Sequence, residues 1–305
     1  MTWIKGIDVS HYQDPRTVAT LATNEGIRFA WVKVSQGRKY RDVRRYDHYH
    51  ALKSANVAVG PYHYYDFART PTENAANMLA ASAGVTWDLP HVIDCEASGY
   101  GTKRQTADAI LAFLDIVERE TGRVPVVYTY ASWWTAAVQP DLRFRRYPLW
   151  VARYPNRYLD AQAPDDGATT NVPAPWATWT VWQFTDGRGR LDRNVCSPQA
   201  FASLTGDVKP ERPTGWQPPR FARTIRPGQV SDKVAELALM LKAAGYRGFK
   251  ATGDSAKVYG IGKQQAVRRF KRRHDLRPSD AVVGPKTWDA IARSAKAKID
   301  AGKAR

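Results

Sequence analysis

Along the first 140 residues, short apolar runs alternate with amphipathic stretches. Ile4–Val9, Phe29–Val34, Val57–Tyr65, His91–Cys95 and Val124–Tyr130 read as strands. Helical patterns follow each of them, near Arg16–Asn24, Asp42–Ser54, Thr70–Gly84, Lys103–Thr121 and Trp133–Val138. Thr70-Pro71-Thr72-Glu73 has capping-box spacing with proline at the first helical position, and Gly26, Gly84 and Gly122 are stop signals. Beyond residue 140 the rhythm changes. Leu149–Ala152, Thr178–Phe184 and Leu191–Val195 are strand-like, with no good helix between them. Five βα repeats and three bare strands predict an α/β domain over residues 1–207, closed on itself as an eight-stranded barrel. An open doubly wound sheet is the alternative, and it lacks the glycine-rich dinucleotide loop after the first strand.

Residues 208–222 carry four prolines between 210 and 219 and predict a stiff extended linker. After it the spacing becomes helical. Val234, Leu237, Ala238 and Leu241 form one apolar stripe ending at Gly245, and Ala266, Val267 and Phe270 a second. Pro285 starts a third helix with Trp288, Ile291 and Ala292. These predict a small all-α three-helix domain over 223–295 and a frayed basic tail over 296–305.

Charge sharpens this division. The chain of 305 residues has a net charge of +17, of which residues 221–305 supply +13 and the first 220 only +4. A near-neutral body with a basic end predicts a polyanionic partner for that end: nucleic acid, an anionic membrane or an anionic cell wall. Two cysteines exclude a disulfide framework and a cysteine-based zinc site, and no run is apolar enough for a membrane span. The opening Met-Thr-Trp-Ile-Lys-Gly-Ile-Asp does not read as a secretory signal, so the expectation is a cytoplasmic start.

A barrel keeps its chemistry at the C-terminal ends of its strands. Asp8 ends the first run, Asp94 and Glu96 end the fourth, and Asp192 lies in the last. Alternate strand residues share a face, so Asp94 and Glu96 point the same way, roughly 7 Å apart. Neighbouring carboxylates in a cleft resist double ionisation, and one holds its proton to higher pH as a general acid. That is the equipment of glycosidic bond cleavage, although the spacing estimate falls between the retaining and inverting ranges. Tyr62, Tyr64, Tyr128, Tyr130, Trp150 and Trp182 fall near strand ends, where aromatic planes can stack on sugar rings or fill the barrel wall. His48-x-His50 lies in a helical stretch, where i and i+2 face different ways, so no metal is assigned. Cys95, between two acids, reads as packing. Its pairing with Cys196 is not expected, since the fourth and eighth strands lie across the barrel. No cofactor motif occurs: there is no phosphate loop and no Gly-x-Ser-x-Gly.

Residues 1–195 resemble glycoside hydrolase family 25, the Chalaropsis-type muramidases. The resemblance rests on Gly6-Ile7-Asp8-Val9-Ser10-His11-Tyr12-Gln13, Phe29-Ala30-Trp31-Val32-Lys33-Val34-Ser35-Gln36-Gly37, Gly60-Pro61-Tyr62-His63-Tyr64 and Ile93-Asp94-Cys95-Glu96. Val127-Tyr128-Thr129, Pro148-Leu149-Trp150-Val151-Ala152, Trp182-Gln183-Phe184 and Leu191-Asp192-Arg193-Asn194 follow in order. It implies an irregular (β/α)5(β)3 TIM-like barrel that cleaves the β-1,4 bond between N-acetylmuramic acid and N-acetylglucosamine in peptidoglycan. It also implies Glu96 as general acid/base, Asp94 as its partner, and Asp8 and Asp192 as further acids. Tyr62, Tyr64, Tyr128, Trp150 and Gln183 are implied as substrate-binding residues. Whether Asp94 attacks the sugar or orients the substrate's acetamido group stays open, with substrate assistance favoured. His11 and His63 read as hydrogen-bonded wall residues.

Residues 226–293 resemble the three-helix peptidoglycan-binding domains, through Val234-Ala235-Glu236-Leu237, Gly245-Tyr246, Val258-Tyr259-Gly260, Ala266-Val267-Arg268-Arg269-Phe270 and Val282-Val283-Gly284-Pro285-Lys286-Thr287-Trp288. Lys271 replaces the usual glutamine after the phenylalanine. Together the resemblances imply a monomeric phage endolysin. It would wait in the host cytoplasm, reach the wall after holin-dependent release, and bind peptidoglycan with anionic wall polymers as a further partner. The alternatives are a wall amidase or peptidase, and a DNA-binding protein with a non-catalytic barrel whose Arg268–Arg273 run meets phosphates.

Overall fold

The computed structural model describes residues 3–155, 163–165, 168–187, 190–206, 219, 221–251 and 254–301. Most of the expected linker, and residues 302–305 of the expected tail, lie outside these. The chain divides into two compact units, Met1–Gln139 with Tyr147–Pro210, and Pro140–Arg146 with Glu211–Arg305.

In the first unit the order is β1 (Ile4–Val9), α1 (Pro15–Glu25), β2 (Phe29–Gln36), β3 (Tyr40–Arg41), α2 (Arg45–Ser54), β4 (Ala58–Tyr64), α3 (Pro71–Ser82) and β5 (Val92–Asp94). Then come α4 (Lys103–Thr121), β6 (Val126–Tyr130), α5 (Ala131–Ala137), β7 (Leu149–Ala152), β8 (Val181–Thr185), β9 (Asp192–Cys196) and α6 (Pro198–Thr205). The sheet runs β1-β9-β8-β7-β6-β5-β4-β2, and β1 pairs with β2 to close an eight-stranded barrel. The two-residue β3 is a short ribbon folded back on β2.

Local chemistry sets the helix ends. Thr70 and Glu73 form the expected capping box, and Thr102 with Gln105 forms a second at the start of α4. Gly26 and Gly122 end α1 and α4 in the left-handed region, at φ of 67° and 69°. Two features depart from the sequence reading. Helix α6 follows the last strand. And β9 runs antiparallel to both β8 and β1, so its beginning, not its end, lies at the C-terminal mouth of the parallel strands.

Strand alternation divides the core in two. Ile7, Val9, Ala30, Val32 and Val59 pack outward with Val18 and Leu52 of the helix layer. Phe29, Trp31, Val92, Val126, Trp150, Val181 and Cys196 fill the interior as a floor. Trp31 and Trp150 stack there with ring centroids 4.6 Å apart. Glycine makes room for these rings: a Cβ on Gly6 would lie 2.2 Å from the Phe29 ring, and one on Gly60 2.6 Å from Trp31 Nε1.

The second unit contains α7 (Asp232–Ala243), the single turn α8 (Asp254–Lys257), α9 (Ile261–Arg273) and α10 (Pro285–Asp300). Val234, Leu237, Leu241, Val267, Phe270, Trp288 and Ile291 form its core, as the apolar stripes predict. Helix α10 continues to Asp300, which corrects the expectation of a frayed end from residue 296: Ala295 and Ile299 belong to the core and hold the last turns in place. Lys271 is buried rather than displayed. Its Nζ donates to Asp280 Oδ1 at 2.6 Å and to the Pro278 carbonyl at 3.1 Å.

Candidate active site

The strand ends bring the four acids together. Asp8 and Asp192 are direct cross-strand partners of β1 and β9. Asp94 pairs in register with Tyr64 on one side and Tyr128 on the other. Beyond β5, the Cys95 amide donates to the Tyr128 carbonyl at 2.9 Å. The extended trace therefore continues, and Glu96 emerges on the same face as Asp94. Asp8, Asp94, Glu96 and Asp192 line one cleft with Tyr62, Tyr128, Trp150, Tyr154 and Gln183. Of the nine residues implied as catalytic or substrate-binding, only Tyr64 stands outside this lining; the strand-end aromatics Tyr130 and Trp182 also stand outside it. Tyr64 lies beside the cleft, with Lys33 Nζ 4.9 Å from its ring centroid.

A polar network fixes one wall. Gln183 Nε2 and Asn194 Nδ2 each donate to Asp8 Oδ2 at 2.8 Å. Gln183 Oε1 accepts from the Tyr128 hydroxyl at 2.8 Å and the Tyr154 hydroxyl at 2.5 Å, and Trp150 Nε1 donates to Asn194 Oδ1 at 2.8 Å. Tyr128 also packs edge-on against Trp150, with centroids 4.7 Å apart. Asp8 and its tethers are thus locked before any ligand arrives. Asp94 differs: its Oδ1 is buried with no hydrogen-bond partner among the described residues. An unpartnered buried oxygen is costly unless a ligand donor completes it.

Crowding perturbs every acid here. Burial, opposed by the Asn194 and Gln183 hydrogen bonds, pushes Asp8 up to about 6. Burial and then the Asp8 charge push Asp192 up to about 9. Burial, with the Glu96 charge next, holds Asp94 well above the usual carboxylate range. Burial raises Glu96 too, and Lys33 opposes it. The cleft therefore holds protons at neutral pH, the condition for acid catalysis by a carboxyl group. Burial first, and then Asp94 and Glu96, push the Cys95 thiol far up, which fits packing and not reactivity; both cysteines are free and buried.

Three contributors escaped the sequence reading. Lys33 was quoted only within a motif, yet it shares the inward face of β2 with Phe29 and Trp31, and alternation alone could have placed it there. Asn194 lay within a quoted motif without a role. Tyr154 follows β7 in a stretch without periodicity and gave no signal. His48 is buried against the Ser10 carbonyl at 3.0 Å while His50 is exposed, so the two face apart as expected.

A βα barrel with paired carboxyl groups at its mouth carries the equipment of a glycoside hydrolase. Residues 7–191 match the family Glycosyl hydrolases family 25, and residues 230–291 match the Putative peptidoglycan binding domain. Lysozyme M1 of Streptomyces globisporus is 32% identical over 222 residues, covering 66% of this chain and 70% of that protein. N,O-diacetylmuramidase of Chalaropsis sp is 31% identical over 197 residues, covering 60% and 88%. The solved structure of the CTP1L endolysin superposes with a TM-score of 0.55 at 26% identity, covering 66% of this chain and 69% of that one. The chain belongs to glycosyl hydrolases family 25, with a peptidoglycan-binding domain at its C-terminal end.

Proposed function

We propose that this enzyme is an endolysin that cleaves the β-1,4 bond between N-acetylmuramic acid and N-acetylglucosamine. Glu96 protonates the leaving oxygen and then takes a proton from the incoming water. Asp94 receives the acetamido N–H of the muramyl sugar and steers its carbonyl oxygen onto the anomeric carbon. The observation that carries this reading is the buried, unpartnered Asp94 Oδ1 beside Glu96. An arriving N–H donor favours the charged form of Asp94 and strengthens the orienting contact. Asp8, fixed by Gln183 and Asn194, supplies negative potential for the developing oxocarbenium charge, and Asp192 lies beside it as its cross-strand partner. Tyr62, Tyr128 and Trp150 flank the sugar, with Tyr64 at the edge.

Purified walls test this directly. The unaltered protein should lower turbidity and release reducing sugars without new free amines, and Glu96→Gln should abolish the release while folding normally. New amines would instead indicate an amidase or peptidase. Near-normal sugar release by Glu96→Gln would overturn the assignment of the acid.

The second unit adds attachment. Arg268, Arg269, Arg272 and Arg273 are exposed on α9, a surface suited to anionic wall polymers. Tethering raises the local substrate concentration without touching the chemistry. Sedimentation of the Glu96→Gln protein with walls should weaken as salt rises, and equal binding at low and high salt would refute the electrostatic part. The proposed state is a monomer, which size-exclusion chromatography tests. Fractionation of infected cells before and after holin action tests storage in the host cytoplasm.

A further inference from the structure

Beside the cleft, the turn after β1 and the β2–β3 ribbon carry an aromatic cluster that the proposed chemistry does not use. Tyr12 is 81% exposed and Tyr40 is 42% exposed, unusual for large rings. The His11 and Tyr12 centroids lie 4.1 Å apart, and the Tyr40 hydroxyl is 3.1 Å from His11 Nδ1. This is a held arrangement. Asp42, fully buried, takes His11 Nδ1 at 2.9 Å and the His11 backbone amide at 3.0 Å on one oxygen, and the Arg44 amide at 2.9 Å on the other. With Nδ1–H committed to the carboxylate, the Nε2 of a neutral His11 is left as an acceptor, and it has no partner among the described residues.

The cluster is continuous with the cleft. Lys33 Nζ lies 4.9 Å from the Tyr64 ring centroid and 5.9 Å from that of Tyr40, and its charge acts on both Asp94 and Glu96. A polymer lying across the acids and leaving the cleft on this side meets Tyr40, His11 and Tyr12 in turn. We propose that these three residues form an additional saccharide subsite, which stacks a further pyranose of the glycan strand on the exposed rings and accepts one sugar hydroxyl at His11 Nε2. The inference rests on the glycan-cleaving reading above and extends it: the enzyme prefers long strands over fragments that only fill the cleft. The occupant is a sugar because the exposed surface is planar and aromatic, which suits an apolar ring face.

The test uses the full chain on soluble peptidoglycan strands, freed of stem peptides by an amidase and sorted by length. For the unaltered protein, kcat/KM should rise with strand length. In Tyr12→Ala and Tyr40→Ala the ratio of long-strand to short-strand kcat/KM should fall on the order of tenfold, and Tyr12→Trp should restore it. An unchanged ratio would overturn the subsite alone. A loss seen only on strands that keep their stem peptides would overturn it in favour of a peptide-binding surface. If the unaltered protein released no reducing ends from any strand, the glycan-cleaving reading would fall and the subsite with it.

Discussion

Asp192→Asn should make the enzyme more stable at neutral pH. Burial and the charges of Asp8, Asp186 and Glu96 push this carboxyl from 3.8 to about 9. Between those values the folded chain holds a proton that the unfolded chain has lost. Stability is therefore fullest below pH 3.8 and falls as pH rises towards 9. From 3.8 to pH 7 is about three units at 1.36 kcal/mol each, so this one group costs the native state about 4 kcal/mol at neutral pH. Asparagine keeps the size and polarity and has no proton to lose on unfolding. We expect a gain of roughly 2–4 kcal/mol at pH 7, and a Tm higher by on the order of 5–10 °C. The gain should shrink towards nothing near pH 4, and turnover should drop. Tryptophan fluorescence melts from pH 4 to pH 8 provide the assay, because nine of eleven tryptophans lie between Trp3 and Trp182 and report the barrel. An equal or lower Tm at pH 7, or a gain that grows as pH falls, would refute the reasoning.

Lys33→Met removes the charge that lowers both Asp94 and Glu96, so both limbs of the pH–rate profile should move to higher pH; a profile that keeps its position would remove Lys33 from the site's electrostatics. In the second unit, Asp280→Ala leaves the Lys271 ammonium buried and should destabilise by roughly 2 kcal/mol, less than a fully buried pair because the Asp280 side chain is 43% exposed. Lys271→Met should be nearly neutral, and hydrogen exchange at α9 amides distinguishes the two. Gly6→Ala drives a methyl group into the Phe29 ring and should cost about 1–3 kcal/mol in denaturant unfolding, with Phe29→Leu in the same chain recovering part of the loss.

The strands and helices of the barrel were legible because their signals are local. Period-two runs, the Thr70 capping box and the stop at Gly122 need only a few neighbouring residues. Asp8, Asp94 and Glu96 were legible for the same reason, since each ends an apolar run. What the sequence could not show was direction and depth. Asp192 opens its strand, and it reaches the cleft only because β9 turns against its neighbours, which no local pattern encodes. Lys271 and Arg268 look alike in a basic run, yet one is buried on Asp280 and the other exposed. Lys33 stood only as one residue of a motif, and its meaning depended on which face closes inward. Tyr154 belongs to a loop, where position is set by tertiary packing alone.

The reversed final strand has a bearing on synthesis. It carries Asp192 to Asp8 across almost the whole length of the barrel sequence, and it also supplies the Asn194 tether. A nascent chain that has not yet released these residues from the ribosome holds Asp94 and Glu96 without a finished pocket around them. Prematurely terminated products should accordingly be inert, and lytic power should arrive all at once with the last turn of the cylinder rather than build up along the growing polypeptide.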